Sequence, residues 1–62
     1  MCLSDVFELR EGTELPLMKY VGGIKIEGDT ITLTDMMGAK KIISGTIKDI
    51  DLLKNVILIE TC

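Results

Sequence analysis

The sequence contains no histidine and no tryptophan among its 62 residues. Histidine is the side chain that most often serves as a general base near neutral pH, and it is also the commonest metal ligand. Without it, neither a Ser–His nor a Cys–His nucleophilic pair can be assembled. The composition therefore predicts a protein that is not an enzyme.

Aromatic residues and positive charge are also scarce. One Tyr and one Phe leave little surface on which bases could stack. A net charge of −3 removes the general attraction to phosphates that supplies most non-specific nucleic-acid affinity. We therefore expect no nucleic-acid partner.

Long apolar runs are missing as well. A helix that spans a bilayer needs about 20 apolar residues, whereas the longest apolar run here is Val56–Ile59. The start of the chain has neither the basic segment nor the apolar segment of a secretory signal. These features predict a cytoplasmic protein with no membrane partner, in which both cysteines are thiols.

Aliphatic residues are abundant instead, with nine Ile, eight Leu and three Val. We interpret residues 1–62 as a single small domain. A domain of this size has too little interior to bury all of these side chains. We therefore expect a homodimer whose interface buries part of the excess. The alternative is a monomer with apolar residues scattered over its surface.

Short runs rich in β-branched residues, separated by Gly, Asp or Asn, predict an all-β chain. The predicted strands are Cys2–Leu9, Leu17–Glu27, Thr30–Asp35, Lys40–Asp51 and Val56–Cys62. The polar segment Arg10–Pro16 predicts a loop. The tight turn at Gly28-Asp29, followed by a clean alternation, predicts a hairpin over Ile24–Thr34.

Two positions interrupt the strand pattern. Gly22-Gly23 predicts a bulge or a close approach of two backbones. Near Lys48-Asp49 the alternation of apolar residues changes phase, which predicts one extra residue and a bend in the strand. Short, kinked strands are typical of a small, strongly bent antiparallel barrel of the SH3-like or Sm-like type.

Cys2 directly follows the initiator Met. Because Cys is small, we expect Met1 to be removed, which leaves an amine, a thiolate and the next amide nitrogen close together. Nitrogen and sulfur donors of this kind suit Ni(II) or Cu(II) in square-planar geometry. One chain supplies few donors, but two chains about a two-fold axis would double them. The alternative is that Cys2 is a small buried hydrophobic residue.

Cys62 is the second thiol, at the last position of the sequence. If the first and last strands pair antiparallel with Val6 opposite Leu58, Cys2 lies opposite Cys62. That arrangement would allow a shared metal site or a redox-labile disulfide. The alternative is a chain end that frays in solvent.

Met36-Met37 is a further pair of soft donors. Methionine is a flexible filler of apolar spaces. We therefore expect a core or dimer contact here rather than a metal site.

Several stretches together resemble a known family, and they cover nearly the whole chain. These stretches are Met1–Ser4, Val21–Asp29, Ile31–Asp35, Gly45–Leu52 and Val56–Glu60. They resemble the CooT family of small nickel-binding proteins, which is itself similar to the hydrogenase-maturation chaperone HypC in its Met-Cys start and small barrel. The resemblance implies a homodimer that binds Ni(II) through Cys2 and serves nickel insertion into carbon monoxide dehydrogenase. It assigns no role to Cys62.

We therefore interpret the chain as a nickel-binding accessory protein, with Cys2 and Cys62 as candidate metal ligands. One alternative is a small Sm-like or SH3-like interaction module for RNA or a protein partner. Another is a redox-responsive domain that uses the two cysteines.

The composition generates a direct test of the RNA alternative. Because the chain is acidic and poor in aromatic residues, RNA binding should be absent at physiological salt. In a fluorescence-anisotropy titration with mixed RNA oligomers, the signal should stay flat up to high micromolar protein. Saturable binding below micromolar protein would instead support the interaction module.

Overall fold

A computed structural model describes residues 3–61 of the chain. Its strands are β1 (Ser4–Arg10), β2 (Thr13–Glu27), β3 (Thr30–Asp35), β4 (Lys40–Asp51) and β5 (Val56–Thr61). Each strand pairs with the next one in the sequence, and β5 pairs with β1, so the sheet closes into a barrel. The predicted small, bent all-β barrel is confirmed. Within residues 3–61 no helix is long and apolar enough to cross a membrane.

The strands β3 and β4 begin and end where the sequence predicts. The predicted hairpin pairs Ile24 with Leu33. Its turn contains Gly28 at a φ of 60°, in the left-handed region that glycine adopts without strain. Residues 36–39 and 52–55, which the predicted strands leave between them, also lie between strands in the structure.

The predicted loop Arg10–Pro16 is wrong over most of its length. Only Glu11 and Gly12 lie between strands, both with positive φ, and β2 already begins at Thr13. This first half of β2 pairs with β1 alone among the described strands. A strand segment with one free edge tolerates polar side chains and also Pro16, which has no N–H to donate.

Both predicted bulges are present. Gly22 is an extra residue in β2 where the pairing with β3 shifts register, and Lys48 is the extra residue in β4 opposite β5. Tyr20, just before the first bulge, has a φ of 58°, which is uncommon for a residue with a side chain. These irregularities bend β2 and β4, so that each strand contributes to two differently oriented parts of the barrel.

The closing strand pair corrects one prediction. β1 and β5 run parallel, with Val6 beside Ile57 and Leu9 beside Glu60. The antiparallel register that placed Val6 opposite Leu58 and Cys2 opposite Cys62 is therefore wrong. Each strand in this meander reverses the direction of the previous one, so the first and the fifth strands point the same way.

The core lies inside the barrel and is entirely aliphatic among the described residues. Alternate residues of the strands point inward, as the two-residue period of a strand requires. The buried side chains are Val6, Val21, Ile31, Leu33, Ile57 and Ile59. Partly buried residues that pack against them are Leu17, Met18, Ile24, Ile43 and Ile47.

Gly45 lies where the backbones of β4 and β5 approach each other closely. A Cβ at this position would overlap the carbonyl oxygen of Glu60 and lie 3.2 Å from the Cα of Thr61. The Gly45 N–H also donates to the Asp29 carbonyl at 2.9 Å. β4 therefore changes its pairing partner from β3 to β5 at Gly45, where there is no room for a side chain.

This close approach generates a stability prediction. Gly45→Ala should destabilise the fold by about 1–3 kcal/mol, because the new methyl group must push apart two backbones. Gly23→Ala is the matched control, since its Cβ would meet only the Thr34 Cβ at 3.9 Å. Urea unfolding of both variants measures the difference. Equal destabilisation by the two substitutions would contradict the assignment.

Candidate functional site

The predicted ligands Cys2 and Cys62 both lie outside the described residues. The structure does show where β1 begins. Ser4 pairs with Val21 in the bent part of β2, and the Asp5 N–H donates to the Asn55 carbonyl at 2.9 Å. The strand that leads from Cys2 therefore begins between the bend of β2 and the turn that joins β4 to β5.

The β3–β4 turn lies on the β2 side of this position. The Met36 N–H donates to the Tyr20 carbonyl at 2.9 Å, which ties the turn to the bend of β2. The Asp35 carboxylate accepts backbone N–H bonds from Met37 and Ala39, both at 2.9 Å. An aspartate that bonds the backbone ahead of it fixes the turn without help from the core.

The methionines in this turn are not core residues of the chain. Met36 is exposed, and Met37 has 84% of its surface accessible. The core contact offered for Met36-Met37 is therefore wrong, whereas the dimer contact stays a prediction. The turn presents both side chains outward.

The β4–β5 turn lies on the other side of the start of β1, and an aspartate fixes its backbone in the same way. The Asp51 carboxylate accepts the N–H groups of Leu53 at 3.1 Å and Lys54 at 3.0 Å. Leu52 and Leu53 are 79% and 98% exposed. A second aspartate-fixed turn thus presents a second apolar pair to solvent.

We define the apolar rim as five exposed side chains that flank the start of β1: Tyr20, Met36, Met37, Leu52 and Leu53. Sequence reasoning missed this rim. The signal that could have found it is a repeated pattern, Asp35-Met36-Met37 and Asp51-Leu52-Leu53, in which an aspartate precedes two apolar residues at a strand end. Exposed apolar clusters of this kind mark interaction surfaces.

The last described residue of β5 lies at the opposite, polar end of the parallel pair. The Thr61 hydroxyl donates to the Glu8 carboxylate at 2.8 Å, and the Arg10 guanidinium lies 3.6 Å from the same oxygen. Thr61 also pairs with Gly45. The described end of β5 is therefore separated from the start of β1 by the length of the strand pair.

Asp and Glu supply the charged metal-ligating side chains within residues 3–61. No three Asp or Glu side chains in this range come together in a group that could hold a metal ion.

The chain is similar to known proteins in both sequence and fold. Residues 1–60 match the model of a family described as the CO dehydrogenase accessory protein CooT. The structure matches a crystal structure from Carboxydothermus hydrogenoformans that carries a provisional CooT assignment, with a TM-score of 0.89 and 23% sequence identity over 98% of each chain. At that identity the structural match establishes the fold. No curated protein matches the chain significantly.

Proposed function

We propose that this chain, which belongs to the CooT family of CO dehydrogenase accessory proteins, binds Ni(II) through Cys2 and delivers the ion to its client enzyme. The observation that carries the proposal is the position of the start of β1 between the two aspartate-fixed turns of the apolar rim. A site beside such a rim can be covered by a second copy of the chain when it holds the ion.

The chemistry of Cys2 fits this ion. A thiolate together with main-chain nitrogen forms a nitrogen–sulfur donor set, which suits square-planar Ni(II). Nickel is the cargo of an accessory protein rather than its resident cofactor. A few donors at the start of a chain hold such an ion accessibly enough for transfer.

A homodimer completes the donor set in this proposal. Each copy supplies one Cys2, and the apolar rim supplies the contact that brings the two copies together. Burial of exposed Leu and Met side chains is the main source of free energy in such an interface. Nickel then adds to the stability of the dimer by binding linkage rather than creating the dimer.

Cys62 stays a second candidate ligand with weaker support. The β1–β5 pair runs parallel and not in the antiparallel register that would place Cys62 opposite Cys2. A Cys62 variant therefore serves as the control for Cys2.

The metal proposal predicts a loss of nickel binding on removal of one thiol. The protein should bind one Ni(II) per dimer with a thiolate charge-transfer absorption, and Cys2→Ser should abolish that absorption while the fold is retained. Cys62→Ser should have a smaller effect. Absorption spectra and metal analysis after gel filtration measure both. Stoichiometric nickel in Cys2→Ser would place the site elsewhere.

The dimer proposal predicts that the metal-free protein already sediments as a dimer. Leu53→Glu should weaken this dimer by about tenfold or more, because it places a charge in the centre of an apolar contact. Ile26→Glu is the matched control, since Ile26 is also exposed but lies at the end of β2 away from the rim. A monomeric metal-free protein, or equal weakening by both variants, would contradict the role of the rim.

A further inference from the structure

The bends in β2 and β4 leave two strand segments paired on one side only. Residues 13–18 of β2 pair with β1, and β3 is reached only from Val21 onward. Residues 40–44 of β4 pair with β3, and β5 is reached only from Gly45 onward. Within residues 3–61, each segment therefore has one edge without a partner strand.

The two free edges face each other across a groove of about 480 Å³. Leu17 of β2 lines one side and Lys41–Ser44 of β4 line the other. Four consecutive residues line a groove only when a strand presents its edge, because alternate side chains point to opposite faces. The Lys41 side chain extends across the groove, and its ammonium donates a hydrogen bond to the Leu17 carbonyl at 3.3 Å. At least one main-chain acceptor on this edge is thus held by a side chain instead of by a neighbouring strand.

The charge in the groove differs from that of the whole chain. The Glu8 carboxylate is compensated by the Thr61 hydroxyl and by Arg10. Lys41 is the lysine that lines the groove, and in the described part of the chain it has no carboxylate within ion-pair distance. The groove is therefore a positively charged site on a protein whose net charge is −3.

Apolar contacts are also available in the groove. Leu17 and Ile43 are partly buried against the core, whereas Ile42 is exposed in the same β4 segment. An incoming strand could pack one side chain of every two against this apolar surface and direct the others toward Lys41. The groove shares no residue with the apolar rim.

We propose that this groove binds an extended, acidic segment of a partner protein, which adds to the barrel as a further strand. Strand addition combines main-chain hydrogen bonds with pockets for alternate side chains. The acidic character of the segment follows from Lys41, which has no carboxylate partner among the described residues, and its extended form follows from the two strand edges. The site operates independently of nickel, so its test does not depend on the metal proposal.

The test is an NMR titration of the full-length, ¹⁵N-labelled protein with a capped Glu-Val-Glu-Val-Glu peptide. Saturable shifts should be confined to the backbone amides of Leu17, Lys41–Ser44 and Thr61. Lys41→Glu should raise the Kd by at least about fivefold, because it reverses a charge that contacts the peptide. Lys25→Glu is the matched control, since this exposed lysine lies outside the groove, and its Kd should be unchanged.

Two further peptides separate strand addition from general charge attraction. The same acidic peptide with alternate backbone nitrogens methylated should lose binding, and a Lys-Val-Lys-Val-Lys peptide should not bind. Equal binding by either peptide, or an unchanged Kd in Lys41→Glu, would overturn the proposal. Shifts of the same amides on dilution without peptide would assign the groove to a second copy. Displacement of the peptide by an RNA oligomer would assign it to nucleic acid.

Discussion

The barrel closes through the pairing of β1 with β5, and the number of strands sets the direction of that pair. In a meander of five strands the first and last run the same way, so the closing pair is parallel. The start of β1 and the end of β5 consequently lie at opposite ends of the barrel. This separation places Ser4 near the apolar rim and Thr61 in the polar network of Glu8.

The bends in β2 and β4 follow from the same closure. Five strands enclose a small aliphatic core only if some strands turn from one part of the barrel to another. The bulges at Gly22 and Lys48, together with the tight contact at Gly45, supply those turns. These turns also leave residues 13–18 and 40–44 with one edge each that pairs with no strand of the described chain. The groove between these edges is thus a geometric consequence of closing so small a barrel.

Much of the fold could be predicted from local pattern. The bounds of β3 and β4, the Gly28 turn and both bulges depend on alternation and on glycine, which act over a few residues. Most of the loop expected at Arg10–Pro16 is strand, because pairing with β1 outweighs its polar composition. The direction of the β1–β5 pair follows from the number of strands, which is a global property that the alternation within one strand does not reveal.

The candidate site was predictable only in its chemistry. The choice of Cys2 as a ligand depends on its donors and stays a prediction, whereas the apolar rim beside the start of β1 depends on which turns the barrel places at one end. Met36-Met37 illustrates the difference. Composition favours burial for two adjacent methionines, but a turn fixed by Asp35 holds them in solvent.

In each of the two aspartate-fixed turns, one residue holds the backbone in place and the two residues after it project into solvent. Asp35 and Asp51 bond main-chain N–H groups, and these bonds do not depend on which side chains follow each aspartate. The Met-Met and Leu-Leu pairs can therefore be exchanged for other residues with little effect on the barrel. The fold can thus change its binding preference through two dipeptides, which makes these turns suitable positions for diversification in a designed library.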